Sequence, residues 1–170
     1  MKKLNFIIKC GLALLLLSFY SCESWLNVTP SDRLSEEMLF NDREGFVKAL
    51  NGVYIELNTN ELYGRNLTAG ALDVMGQYYS VASSSHAFYN YGGLVYTGND
   101  EKALFDNMWQ KCYAVIACCN TIIEKCDENK AGLSPVWKGA IKGEALALRA
   151  MLHFDMLRLF APAPVNDDGQ

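Results

Sequence analysis

Between Asp100 and Glu128, Phe105, Trp109, Cys112, Ile116, Cys119, Ile123 and Cys126 recur at alternating steps of four and three. That spacing returns each residue to one side of an α-helix, whereas a strand would need alternation with a period of two. The seam spans three heptads. Leu104, Met108, Val115, Cys118 and Ile122 widen it, so this helix is expected to be covered on more than one side. A turn at Asn129–Leu133 follows. Ser134 is placed to cap the next helix and Pro135 suits its first position. That helix is expected to reach about Phe160, where Pro162 and Pro164 stop it. It is apolar almost all round, with Trp137, Ile141, Leu148 and Leu152 on one side and Ala147, Ala150, Phe154 and Leu157 on another. Two such helices demand an all-α fold with neighbours on both sides.

Upstream, Asp42 is a candidate cap for a helix over Arg43–Leu57, with Phe46, Leu50, Val53 and Leu57 forming one stripe. Small Ala49 and Gly52 would let a neighbour approach closely. A weaker helix is expected from about Ala69 to Tyr79. Val81 to Asp100 is rich in Ser, Gly and aromatics and carries no helical stripe, so it predicts an ordered loop with a short strand at Leu94–Tyr96. Long helices with a second apolar face are what stacked helical repeats present. Ala150-x3-Phe154 before Pro162 is similar to the second helix of a tetratricopeptide repeat, and Trp109-x2-Cys112 to the opening of a first, in an elongated variant.

The N-terminus carries an address. Lys2, Lys3 and Lys9 precede an apolar run from Gly11 to Tyr20, which is too short to span a bilayer but suits a signal-peptide core. Small Ser18 and Ser21 lead into Cys22, an arrangement that resembles a lipobox. Cys22 is therefore the expected lipidation site, where acyl chains such as palmitate would anchor the protein to a membrane without spanning it. The chain carries 15 Lys and Arg against 19 Asp and Glu. Removing the leader's three lysines leaves 12 against 19, a net charge of −7, and no basic footprint for nucleic acid. A hydrophobic content of 51% excludes a disordered chain.

The segment Gly143-Glu-Ala-Leu-Ala-Leu-Arg-Ala-Met-Leu-His-Phe-Asp-Met-Leu-Arg-Leu-Phe-Ala-Pro resembles the signature of the SusD/RagB family, with Ala161 where the family usually has Gly. Ala49–Tyr54 (A-L-N-G-x-Y) and Trp109-x3-Tyr113-x2-Ile116-x3-Asn120-x2-Ile123 support the resemblance, as does the lipobox. Such proteins are outer-membrane lipoproteins of Bacteroidetes that capture nutrients. The resemblance implies tetratricopeptide-like helical pairs of the α-solenoid type. It implies a SusC-like TonB-dependent transporter as partner and an oligosaccharide or peptide as ligand, held beneath a lid before uptake. The expected layout is a leader over 1–21, a tether over 22–40 and a helical domain over 41–170. That domain is expected to be incomplete, because family members continue for several hundred residues beyond this signature.

Tyr78, Tyr79, Phe88, Tyr89, Tyr91 and Tyr96 crowd one stretch, with Asp73, Asn90 and Asn99 nearby. Aromatic rings stack on the C–H faces of sugars, and short polar side chains pair with hydroxyls. The resemblance implies ligand contacts from this region. Asp73, Tyr79, Tyr89, Asn90, Tyr91 and Tyr96 are the candidate ligand-binding residues, against the alternative that several rings merely cover the helices beneath. Cys112, Cys119 and Cys126 sit seven apart, ~10.5 Å along a helix, too far to pair with one another. With Cys118 they are expected to be small buried hydrophobes. His86 and His153 are read as packing residues. No nucleophile elbow, HExxH, phosphate loop or dinucleotide fingerprint is present. The reading is a non-enzymatic, nutrient-binding accessory lipoprotein of the outer membrane that needs no metal or cofactor. The alternatives are a helical-repeat module that binds only protein, and a non-functional truncated fragment.

Overall fold

The computed structural model describes residues 36–162, and the leader, Cys22 and most of the expected tether lie outside them. Six helices follow in order: α1 (Glu36–Leu39), α2 (Arg43–Leu57), α3 (Ala71–Met75), α4 (Tyr89–Gly92), α5 (Asn99–Glu128) and α6 (Pro135–Phe160). The described residues contain no strand, so Leu94–Tyr96 is not the short strand expected. The end of the expected tether is helical at α1. The weak helix expected over 69–79 shortens to five residues.

The caps account for the long helices. Asp42 accepts from the Gly45 N–H at 2.8 Å and opens α2. Ser134 accepts from the Trp137 N–H ahead of Pro135 at the start of α6. Asn129, in the left-handed region with φ 47°, ends α5. Its side chain accepts from the Leu133 N–H at 2.7 Å and donates back to the Leu133 carbonyl.

α5 and α6 form an antiparallel hairpin, since Cys112 meets Leu152, Asn120 meets Arg149 and Asp127 meets Lys142. α2 lies against both. Tyr54 donates to Glu144 of α6 at 2.7 Å, and Lys111 of α5 pairs with Glu56. The Phe46, Leu50, Val53 and Leu57 stripe is buried, as its spacing predicts. It meets Cys112, Val115, Ile116 and Cys119 of α5, and Ile141, Ala145, Leu148, Leu152 and Met156 of α6. Close approach falls not at Gly52, where a side chain would meet open space, but at Gly45, where a Cβ would run into the Leu39 carbonyl. Gly45 thus lets α1 fold back over the start of α2.

Two packing expectations need correction. On α5, Cys112, Ile116, Cys119 and Cys126 of the expected seam are buried, with Met108, Val115 and Ile122 beside them as expected, whereas Trp109, placed in that seam, is exposed. Cys118 is exposed, because it stands one residue before Cys119 and so about 100° around the helix from it. Cys112, Cys119 and Cys126 are buried, and burial pushes the Cys112 and Cys119 thiols up to about 11. The second apolar face of α6 is open, with Phe154 58% and Leu157 61% exposed.

The signature residues act as joints. Glu144 receives Tyr54, and Arg149 donates to Asn120 at 2.8 Å, so the motifs of α5 and α6 meet. Asp155 receives the Tyr63 hydroxyl, and burial is the main reason that phenol is pushed up.

Candidate functional site

From the end of α3 to the start of α5 the chain folds around a groove of about 400 Å³. Two residues with left-handed backbone bend it there, Gln77 at φ 62° and Leu94 at φ 55°. The Gln77 amide donates to the Gly92 carbonyl at 2.9 Å and ties the two walls together. The Val95 N–H donates to the Asn90 carbonyl at 2.9 Å and closes the single turn of α4. The groove is lined by Gln77, Tyr79, Ser80, Val81, Tyr89, Asn90 and Val95, with Gly92 and Gly93 between them.

Three of the six candidate residues gather there. Tyr79 is 55% exposed and Tyr89 42%, and both rings stand on the groove wall. Asn90 lies beside Tyr89. Its amide NH2 donates to Glu101 Oε1 in the first turn of α5, at 2.7 Å.

The other three lie elsewhere. Tyr91 is 2% exposed, and its ring packs edge-on against Phe88 and Phe105, each at 5.9 Å. Burial, aided by the negative charges of Glu101 and Asp100, pushes its phenol up to about 12. Tyr96 is half-buried against Phe105 at 5.4 Å, and burial pushes its phenol up as well. Both rings anchor the loop to α5 instead of facing the groove. Tyr89 and Tyr91 part because two helical steps turn a side chain by about 200°. Asp73 is half-buried in the first turn of α3 and does not line the groove.

Gln77, Ser80 and Val95 were not among the sequence candidates. Their place depends on the left-handed bends at Gln77 and Leu94, which neither residue type announces. The groove thus combines two accessible rings with an amide on each wall, a hydroxyl and backbone groups. It can stack a flat, weakly polar face and pair with hydroxyls around it. Among the described residues no three His, Cys, Asp or Glu side chains gather to hold a metal. The histidines stand apart from the groove's lining: His86 Nδ1 accepts from the Phe88 N–H at 3.1 Å, and His153 packs against Tyr113.

Comparison with known proteins supplies a frame. A family model described as "Starch-binding associating with outer membrane", of SusD-like type, matches residues 24–169. SusD-like protein P2 of Formosa agariphila is 26% identical over 97% of this chain and 31% of its own length. SusD-like protein P25 of the same organism is 23% identical over 88% of this chain and 29% of its own. The chain therefore spans under a third of the length of these curated relatives. No solved structure matches it.

Proposed function

Because the chain belongs to the SusD-like family, we propose that it is a non-enzymatic, glycan-binding accessory protein of the outer membrane. The observation that carries this reading is the groove in which Tyr79, Tyr89, Asn90 and Gln77 converge on one open surface. The ligand class is a starch-type oligosaccharide, whose rings offer C–H faces to the tyrosines and hydroxyls to the amides. Lipidation at Cys22, after removal of a leader over 1–21, would hold the protein at the membrane. No helix among the described residues is long and apolar enough to cross one. The partner is a SusC-like TonB-dependent transporter, to which the protein would deliver captured glycan for uptake.

Affinity electrophoresis in gels cast with soluble starch tests this. The wild-type chain is expected to be retarded, and Tyr79→Ala/Tyr89→Ala is expected to migrate as in a starch-free gel. Equal mobility of the two proteins in starch would refute the reading. A second reading, a surface that binds a protein, is favoured by the open face of α6 and by the groove of about 510 Å³ among Trp109, Tyr113, Phe154 and Phe160. Co-purification of a transporter that is abolished by Phe154→Glu but not by Tyr89→Ala would assign that face to the partner.

A further inference from the structure

Glu101 sits in the first turn of α5 yet is only 6% exposed. Its carboxylate folds back over Gly98, the residue that caps the helix. The Gly98 φ of −72° is open to any residue, but Glu101 Oε2 lies where a Cβ would stand, so a side chain there would push the carboxylate aside. The carboxylate takes the position that a capping side chain would occupy. The hydrogen bond from Asn90, and then Glu101's own backbone N–H, hold this carboxyl below the usual carboxylate range. A glutamate is ionised at neutral pH even without that help, and an ionised carboxylate only accepts hydrogen bonds. The end of the Asn90 amide that faces it must be the NH2 end.

We infer that Glu101 is a positioning residue that sets the polarity of the groove. By holding the Asn90 NH2 inward, it leaves the Asn90 Oδ1 as a hydrogen-bond acceptor for a sugar hydroxyl. Among the described residues that oxygen takes no hydrogen bond from the protein. The same bond pins α4 to α5, because the Asn90 carbonyl also closes the turn from Val95. The inference rests on the groove being the glycan site, and its consequence for the loop can be read without any glycan.

The test uses the full chain and an exchange of donor and acceptor. Glu101→Ala removes the bond. Asn90→Asp sets two carboxylates against each other. Asn90→Asp/Glu101→Gln restores a bond with its polarity reversed, and still leaves an acceptor oxygen at position 90. Hydrogen–deuterium exchange of the amides at 89–98 is expected to speed up about tenfold in each single variant, with α2 and α6 unchanged, and to return to within about twofold of wild type in the double variant. Unchanged exchange in Glu101→Ala, or a double variant no better protected than Asn90→Asp, would overturn the inference. With maltoheptaose as probe, Glu101→Ala is expected to weaken binding about threefold or more, and the double variant to bind as wild type does. A double variant that recovers protection but not affinity would overturn the claim that position 90 acts as an acceptor. A wild-type chain that ignores maltoheptaose would refute the groove reading, while the exchange result would still decide whether Glu101 holds the loop.

Discussion

Tyr89 and Tyr91 are two residues apart, and the structure gives them opposite duties. Replacing each in turn with Ala separates those duties. Tyr91 is 2% exposed and its ring touches Phe88, Tyr96 and Phe105. Phe105 packs in turn on the main core, so loss of the Tyr91 ring is felt in the helices. Truncating a buried aromatic ring costs about 3–5 kcal/mol, through lost transfer energy and the cavity left behind. Domains of this size are stable by only about 5–15 kcal/mol. Tyr91→Ala should therefore lose a fifth or more of the stability and lower the Tm by roughly 6–20 °C. Tyr89 is 42% exposed, so Tyr89→Ala should cost under about 1 kcal/mol. Its loss falls on glycan binding, where one stacking contact is worth ~0.5–1.5 kcal/mol, or about twofold to tenfold in affinity. Urea denaturation followed by circular dichroism at the helix band measures the first effect. A Tyr91→Ala protein with the wild-type midpoint, or a Tyr89→Ala protein as damaged as Tyr91→Ala, would refute this division.

Other consequences follow from the core. Leu152 is fully buried between α2 and α5, so Leu152→Ala should cost about 3–5 kcal/mol, far more than Phe154→Ala on the open face of the same helix, as equilibrium unfolding of the two variants would show. Gly45→Ala should destabilise by about 1–3 kcal/mol in the same assay even though Ala is the better helix former, because its Cβ meets the Leu39 carbonyl. Thiol labelling mapped by mass spectrometry should modify Cys118 well ahead of Cys112 and Cys119. Those two thiols stay neutral in the fold up to about 11, while the unfolded chain releases their protons from about 8.5 upward. The unfolded state then binds fewer protons, so their contribution to stability is complete below pH ~8.5 and is lost as pH rises through 11. A pH titration of the urea midpoint checks this sign.

The helices were legible because their signals are local. Asp42, and the Ser134-Pro135 pair, announce their helix starts, and a fourfold apolar stripe announces the buried side of α2. The phase of α5 was harder. Its apolar residues fill two overlapping seams, one through Trp109 and one through Met108, and only the neighbours α2 and α6 decide between them. The aromatic loop shows the deeper reason. Its composition pointed to the right region, and Tyr79, Tyr89 and Asn90 do share a groove. Tyr89 and Tyr91 part because α4 makes a single helical turn there, and a stretch without a helical stripe does not announce that turn. The bends at Gln77 and Leu94, which shape the groove around it, use left-handed backbone in residue types that rarely adopt it. The role of Glu101 is not legible in the sequence, because an acid in a helix's first turn is ordinary and its contact with Asn90 spans eleven residues.

The claim that the groove binds glycan is tested most directly by isothermal titration of the full chain with maltoheptaose. The wild-type protein is expected to give a saturable isotherm with one site per chain. Tyr79→Ala/Tyr89→Ala, unchanged in its melting, is expected to weaken that binding about fivefold or more. No heat from the wild type, or the same affinity in both proteins, would contradict the account.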